Sequence, residues 1–339
     1  MENGTVGELP GYALMPDVAR RLAADGRRIV VTGAGGWLGM ATLALLRDAL
    51  GAGLAERVAC FGRSAKMLSL NGASLEQRPI SSLTSLECKP TLMLHCAFPA
   101  RERAGAMSRG AYVGMCRDIR VRVLNALDAI GTEAVFLPSS GAVYEACSEY
   151  ATPAMRLFGE MKQRDEEAFS DWGESRGRQC VTARIFDLSG PYINTHDMHA
   201  LASFIGDALA GRPVRVTASK RVIRSYLAIR ELMSVVFAQL LDGGTGGEPF
   251  DAASGDEVEL HAVARTIAGL VGNGQVDSPS VEMWSGVDRY VGEPARFRTL
   301  ARAAHVPVVD FRTQVLETAA YMSALDSRKH LRWYELTYV

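Results

Sequence analysis

Ile29-Val30-Val31-Thr32-Gly33-Ala34-Gly35-Gly36-Trp37-Leu38-Gly39, running straight into Met40-Ala41-Thr42-Leu43-Ala44-Leu45-Leu46, decides the fold. Four β-branched residues bounded by glycine predict a buried parallel strand, and the alanine and leucine run after Gly39 predicts a helix. Between them, each glycine has a separate task. Gly33 lets the chain turn off the strand, Gly36 lets backbone N–H groups approach a pyrophosphate, and Gly39 lets the helix pack close to the sheet. The helix N-terminus then supplies positive potential for the phosphates. A glycine triplet alone is weak, but one placed between a strand and a helix predicts a dinucleotide site.

Further strands are predicted at residues 57–61, 91–96, 134–137 and 181–186, alternating with helices. That alternation predicts an α/β fold, a Rossmann-type doubly wound parallel sheet with all strand carboxyl ends along one edge. Residues 1–26 read as a polar lead and a helix, and 27–190 as the dinucleotide-binding domain. Residues 191–339 read mainly as a smaller C-terminal substrate-binding cap, with some segments returning to the first domain. These smaller pieces are expected not to form a second large core of their own. Residues 75–88 read as a short strand and a polar connection. On the helix ending at Gly131, Ile119, Val123, Leu127 and Ile130 share one face, which suits the sheet or a second subunit.

The chain has 339 residues with 37 basic and 38 acidic side chains, a net charge of -1. Such a balance offers no basic field for nucleic acid or an anionic membrane. No apolar run is read as reaching the roughly 20 residues of a membrane span, and the first residues lack the pattern of a secretory signal, so a cytoplasmic location is expected. Six cysteines without metal-ligand spacing predict reduced thiols and no metal site.

The second strand ends in Gly62-Arg63-Ser64. An acidic residue there would accept from a ribose 2′-hydroxyl, whereas Arg63, with Ser64 as a second donor, suits a 2′-phosphate; NADP is therefore favoured, with NAD possible. The stretch Phe136 to Lys162, FLPSSGAVYEACSEYATPAMRLFGEMK, places Ser139 and Ser140 at a strand end and Lys162 on the following helix. Hydroxyls and a cation at the carboxyl edge of such a sheet read as an active site.

Taken together, these residues resemble the extended short-chain dehydrogenase/reductase family of NAD(P)-dependent nucleotide-sugar epimerases, dehydratases and ketoreductases. The resemblance covers residues 28–325. It rests on TGAGGWLG for TGxxGxxG, LHCA for HxAA, PSSGAVYE for SSxxVYG, FGEMK for YxxxK, RIFDLSGP for RxxNxxGP and VIRSYLAI for RDFxxVxD. It implies that Gly33, Gly36 and Gly39, with Trp37 and Leu38, bind the pyrophosphate, and that Ala97 and Ser139 lie at the cofactor. Ser140 would hold the reacting sugar oxygen, Lys162 the nicotinamide ribose, and Asp187 and Arg224 the substrate's diphosphate region. A homodimer through helices near 112–130 and 158–172 is also implied.

The chain departs from the family pattern in three places. Phe158 stands where a tyrosine transfers the proton, Asp187 replaces an asparagine, and Ser225 and Arg230 stand where acidic residues are usual. Phe158 is open to three explanations: a change introduced to trap a complex; a natural residue with the proton supplied by Tyr144, Tyr150, Glu160, Cys147 or a water on Ser140; or a cofactor binder without turnover. The expected function is a nucleotide-sugar oxidoreductase, a ketoreductase ahead of an epimerase or dehydratase. The alternative of another class is a catalytically inactive NADP-binding regulatory protein.

Overall fold

The structure, a computed structural model, describes residues 12–70, 72–149, 151–244, 247–279 and 286–329, with side chains to residue 325. Most of the expected N-terminal lead, and Tyr150, lie outside the described residues. The first part runs α1 (Pro16–Ala24), β1 (Arg28–Thr32), α2 (Trp37–Leu50), α3 (Leu54–Arg57), β2 (Val58–Gly62), β3 (Lys66–Leu70), β4 (Ala73–Pro79), β5 (Thr91–His95), α4 (Arg101–Ala106), α5 (Arg109–Leu127), β6 (Thr132–Ser140), α6 (Pro153–Arg176) and β7 (Gln179–Ile185). It is followed by β8 (Asp187–Ser189), α7 (Ala200–Leu209), β9 (Val214–Arg215), β10 (Arg221–Ala228), α8 (Ile229–Asp242), β11 (Phe250–Ala252), β12 (Glu257–Glu259), α9 (Leu260–Val271), β13 (Val276–Asp277), β14 (Val287–Tyr290), α10 (Ala295–Ala303) and α11 (Phe311–Lys329).

Eight strands form the main sheet in the order β11-β7-β6-β5-β1-β2-β4-β3. All neighbours are parallel except β3 and β4, which form an antiparallel hairpin at the edge. Every residue of β1 is buried. Ile29 and Val31 join one core with Val18, Leu22, Leu46, Leu232 and Val236 from α1, α2 and α8. Val30 points the other way, into a core with Met93, Val135, Val123, Leu127 and Phe169. Alternate residues of one strand thus serve two helical layers, as the period of two requires. Phe169 is fully buried there, and truncating it to alanine costs about 3–5 kcal/mol.

Several expectations are corrected. The hairpin over residues 66–79 stands where only a strand and a polar connection within 75–88 were expected. Its Leu68, Leu70 and Leu75 are buried between exposed neighbours, a pattern too short to stand out. By contrast, the sheet, one of the two partners expected for the 119–130 stripe, does cover Val123, Leu127 and Ile130. Trp37–Arg57, at 21 residues and a mean hydropathy of 1.3, is long and apolar enough by length and composition to cross a membrane, against the sequence reading. Its apolarity is explained by position, since α2 packs against α1 and α8 over the sheet.

Past residue 190, a cluster of Leu201, Phe204, Ile205, Val263, Ile267 and Val315 gives the C-terminal pieces a core of their own, which their lengths did not promise. A second sheet has the order β12-β10-β14, with β8 also paired to β10. Because β8 begins two residues after β7 ends, the chain steps from the large sheet to the small one at Phe186. Meanwhile α8 and β11 return to the large sheet, β11 pairing with β7 along its outer edge.

Candidate active site

The glycine turn off β1 is held against the end of β5. Gly33 has φ 66°, and a Cβ there would lie 2.6 Å from the Ala97 nitrogen and from the Cys96 carbonyl; only glycine fits both constraints. Ala97 N–H in turn donates to Thr32 Oγ1 at 3.4 Å. Gly39 packs on the Gly33 carbonyl. Gly36 N–H donates to the Gly33 carbonyl at 3.0 Å and caps α2, which begins at Trp37. The Trp37 indole donates to the Pro191 carbonyl at 2.9 Å, tying the turn to the C-terminal part. Leu38 is half-buried beside it. A helix N-terminus opening on such a turn fits a dinucleotide pyrophosphate.

Arg63 and Ser64 are exposed at the end of β2. Two side chains that sequence reasoning missed join them. Lys66 Nζ would be 2.6 Å from a Cβ on Gly35, so the ammonium lies over the glycine turn. Gln77 accepts from Gly35 N–H at 3.0 Å and donates to the Ser64 carbonyl at 2.8 Å. The β3–β4 hairpin is what carries both of them there, and it was not read from the sequence.

At the end of β6, Ser139 donates to Glu166, and Glu166 is gripped by Arg184 with contacts of 2.7 and 3.0 Å. Ser139 is thereby turned toward a structural ion pair. Ser140 accepts from Ala142 N–H at 3.2 Å and shares a hydrogen bond of 3.1 Å with the Tyr290 hydroxyl. Lys162 is 8% exposed, donates to the Pro138 carbonyl at 2.8 Å and lies 3.8 Å from the Phe98 ring centroid. Burial pushes its ammonium down to about 8, against the pull of Asp165, Cys96, Cys116 and Glu166. Phe158, one turn earlier on α6, meets Phe98 edge-on at 5.6 Å. The helix comes this close because Gly159 rests on the Ala142 carbonyl, where any Cβ would collide.

The described alternatives for a missing phenol are placed as follows. Tyr144 donates to Asp251 at 2.9 Å and accepts from Arg184 at 2.9 Å. Glu160 is turned outward to Arg109 and Arg164, and Cys147 is exposed. The hydroxyl that does meet Ser140 is that of Tyr290. Tyr290 lies at the end of β14, whose pairing with β10 sets it opposite Arg224. Its ring packs 4.9 Å from Phe186. Burial pushes its hydroxyl up to about 12; Ser140 and Arg101 work against that shift and Asp187 with it. The one sequence signal was that Val287–Tyr290 is a short run ending before Gly292-Glu293-Pro294, where a strand could deliver a side chain.

Arg224 donates to Asp288 Oδ1 at 3.0 Å and to two backbone carbonyls, and its Nε is 3.9 Å from Asp187. Its charge is thus already shared by two carboxylates. Burial raises the Asp187 carboxyl to about 6, opposed by Arg224 and Arg101, and its Oδ2 has no hydrogen-bond partner among the described residues. A cavity of about 650 Å³ opens apart from these groups, between α7, β9 and α9, lined by Phe204, Asp207, Arg212, Thr217 and Leu260. Among the described residues no cluster of His, Cys, Asp and Glu could hold a metal.

With this geometry in view, the profile of the NAD dependent epimerase/dehydratase family matches residues 29–252. The chain is 25% identical over 126 residues to UDP-glucuronic acid decarboxylase 3 of Arabidopsis thaliana, 37% of this chain and 34% of that protein. The match therefore spans about a third of the curated relative. Among solved structures, a UDP-N-acetylglucosamine 4-epimerase from Methanobrevibacter ruminantium M1, in complex with UDP-N-acetylmuramic acid, superposes with a TM-score of 0.69 at 17% identity, covering 88% of this chain and 99% of that one. The UDP-glucose 4-epimerase of Thermus thermophilus, in complex with NAD, gives 0.67 at 20% identity, covering 87% and 98%. At such identities these structures show a shared fold.

Proposed function

This chain belongs to the NAD dependent epimerase/dehydratase family, and we propose that it reduces the ketone of a nucleotide-activated keto sugar with NADPH. The observation that carries this is Lys162. A buried ammonium costs several kcal/mol, and this one is kept beside the Ser139–Ser140 strand end, close enough to act on Cys96, whose carbonyl abuts Gly33. Such a cation suits the ribose of a dinucleotide laid along the glycine turn.

When bound, NADPH supplies a hydride. Gly33, Gly36, Trp37, Leu38 and Gly39 would hold its pyrophosphate, with Ala97 and Ser139 along the same edge. Arg63, Ser64 and Lys66 would hold its 2′-phosphate; two cations and no carboxylate at the end of β2 favour NADP over NAD. NADPH as a net reductant favours a ketoreductase over an epimerase or dehydratase of the same family. Ser140 would hold the sugar's carbonyl oxygen, and Asp187 and Arg224 would face its nucleotide. Arg224 is already neutralised by Asp288, which favours a different pose for the diphosphate. A homodimer across α5 and α6 belongs to the same proposal and is tested by light scattering on the purified protein.

The reading of another class, a cofactor binder without turnover, is favoured by Phe158, because the residue one turn before the lysine has no proton to give. Mixing the protein with NADPH and UDP-, dTDP- and GDP-4-keto-6-deoxyhexoses and following absorbance decides between them. Oxidation of NADPH by any of the three is expected. Binding of cofactor and sugar nucleotide without oxidation would leave the regulatory reading or an epimerase or dehydratase of the same family.

A further inference from the structure

We propose that Tyr290 is the proton donor of this site, its phenol taking over the proton transfer that Phe158 cannot perform. This rests on the ketone reduction proposed above. Ser140 and Tyr290 are 150 residues apart, yet their oxygens are 3.1 Å apart. Ala142 N–H already donates to Ser140 Oγ. If Ser140 donates to Tyr290, the phenol's own proton is free for a ligand oxygen; if Tyr290 donates, Ser140's proton is free and the phenol stands one hydrogen bond behind it. In either orientation the pair presents one O–H to a carbonyl and holds a second in reserve.

The proton half of the reduction then balances as follows. As the ketone carbon gains a hydride, the electron pair of its C=O π bond takes the Tyr290 proton, the phenol O–H bond breaks, and an alcohol and a phenolate result. Solvent returns one proton to the phenolate, so ketone, hydride donor and one proton give alcohol and oxidised cofactor. Tyr290 is placed for this direction in particular. Lys162, which would favour a phenolate, lies on the Phe98 face with one N–H on the Pro138 carbonyl, and the charges that act on the Tyr290 hydroxyl are those of Asp187 and Arg101. Burial and Asp187 keep the phenol protonated, with a value raised to about 12. A protonated phenol is an acid for reducing a ketone and a poor base for oxidising an alcohol.

Of the described groups offered in its place, Tyr144 is held between Arg184 and Asp251, and Glu160 is turned outward to Arg109 and Arg164. Tyr290 arrives from β14, and its neighbours Arg224 and Phe186 fix it from two sides.

The test compares the wild type, Tyr290→Phe, and Tyr290→Phe combined with Phe158→Tyr, each checked for an unchanged melting temperature and NADPH affinity. Tyr290→Phe should lower kcat for ketone reduction about a hundredfold or more, and adding Phe158→Tyr should recover at least a tenth of it. A second readout needs no turnover. The carbonyl resonance of a UDP-4-keto-6-deoxyhexose labelled with 13C at C4 should move downfield on binding the cofactor-free wild type and return toward its free position in Tyr290→Phe. A wild type that turns over, with Tyr290→Phe equally active and no change in the resonance, overturns the assignment while leaving the ketoreductase standing. A wild type that binds both cofactor and keto sugar without oxidising NADPH overturns both.

Discussion

The two sides of the proposed site are built differently. On the cofactor side the turn from β1 into α2 is shaped by backbone, with Gly33 at φ 66° touching Ala97 and Gly39 resting on the Gly33 carbonyl. On the side proposed for the substrate stand side chains from distant segments, with Ser140 from β6, Phe158 from α6, Asp187 from β8, Arg224 from β10 and Tyr290 from β14. A backbone cradle depends on spacing and tolerates no Cβ. A side-chain surface can be rebuilt one residue at a time while the sheet beneath it stays the same. Two of the departures from the family pattern, Phe158 and Asp187, fall on the second side, where a lost phenol can be met by another from a different strand.

The contrast breaks most visibly at Gly33. Gly33→Val forces a β-branched residue into positive φ and drives its Cβ into the Cys96–Ala97 backbone just past β5. It should destabilise the protein by at least about 3 kcal/mol and lower NADPH affinity more than a hundredfold, by denaturant melts and calorimetric titration. A variant that folds and binds normally would show that the cradle is not set by backbone shape.

Next in size is the lysine that joins the two sides. Its ammonium is pushed down to about 8, so its charge is lost as pH rises through that value, and kcat for ketone reduction should fall above pH 8. Lys162→Met should be at least tenfold slower at pH 7 and lack that decline; a decline that survives the substitution belongs to another group.

On the cofactor side a smaller effect separates charge from shape. Lys66→Glu leaves the turn intact and reverses the charge over Gly35, so NADPH should bind about tenfold or more weakly while NADH changes little. Equal losses for both would remove the 2′-phosphate from the proposal.

The smallest effect is on stability and belongs to the substrate side. The Asp187 carboxyl is raised to about 6 in the fold from an ordinary value near 4. The folded state therefore holds a proton that the unfolded chain has released between these values, and stability falls as pH rises across that window. Asp187→Asn removes the buried charge. It should be about 1–2 kcal/mol more stable than wild type at pH 7.5, with the difference closing below about pH 4, as urea titrations at the two pH values would read. A variant less stable at pH 7.5 would mean that the ion pair with Arg224 outweighs the burial.

What could be read in the sequence follows the same division. The glycine turn, the buried strands and the lysine-bearing helix are written in local spacing and period, and their elements stand within a few residues of expectation. The placement of Ser140 and Lys162 near the cradle followed from topology, since parallel strands share one carboxyl edge. Lys66 and Gln77 were hidden because the hairpin carrying them alternates single leucines with polar residues. Tyr290 was hidden for a deeper reason. Its relation to Ser140 exists only through the register of β14 on β10 and the step between sheets at Phe186, and no window of sequence contains both ends of that chain of contacts.

The late arrival of β11 has a consequence for synthesis. β7 ends at Ile185, and the strand that covers its outer edge begins at Phe250, roughly 65 residues later. At the usual pace of translation this leaves the Ala183–Ile185 edge of β7 without its partner strand for roughly 3–13 s, with its N–H and C=O groups available to any neighbouring chain. That edge is therefore open to misassembly while the chain is being made, between its seventh strand and its eleventh. Slowing the ribosome within residues 186–249 should lower soluble yield more than slowing it after residue 252.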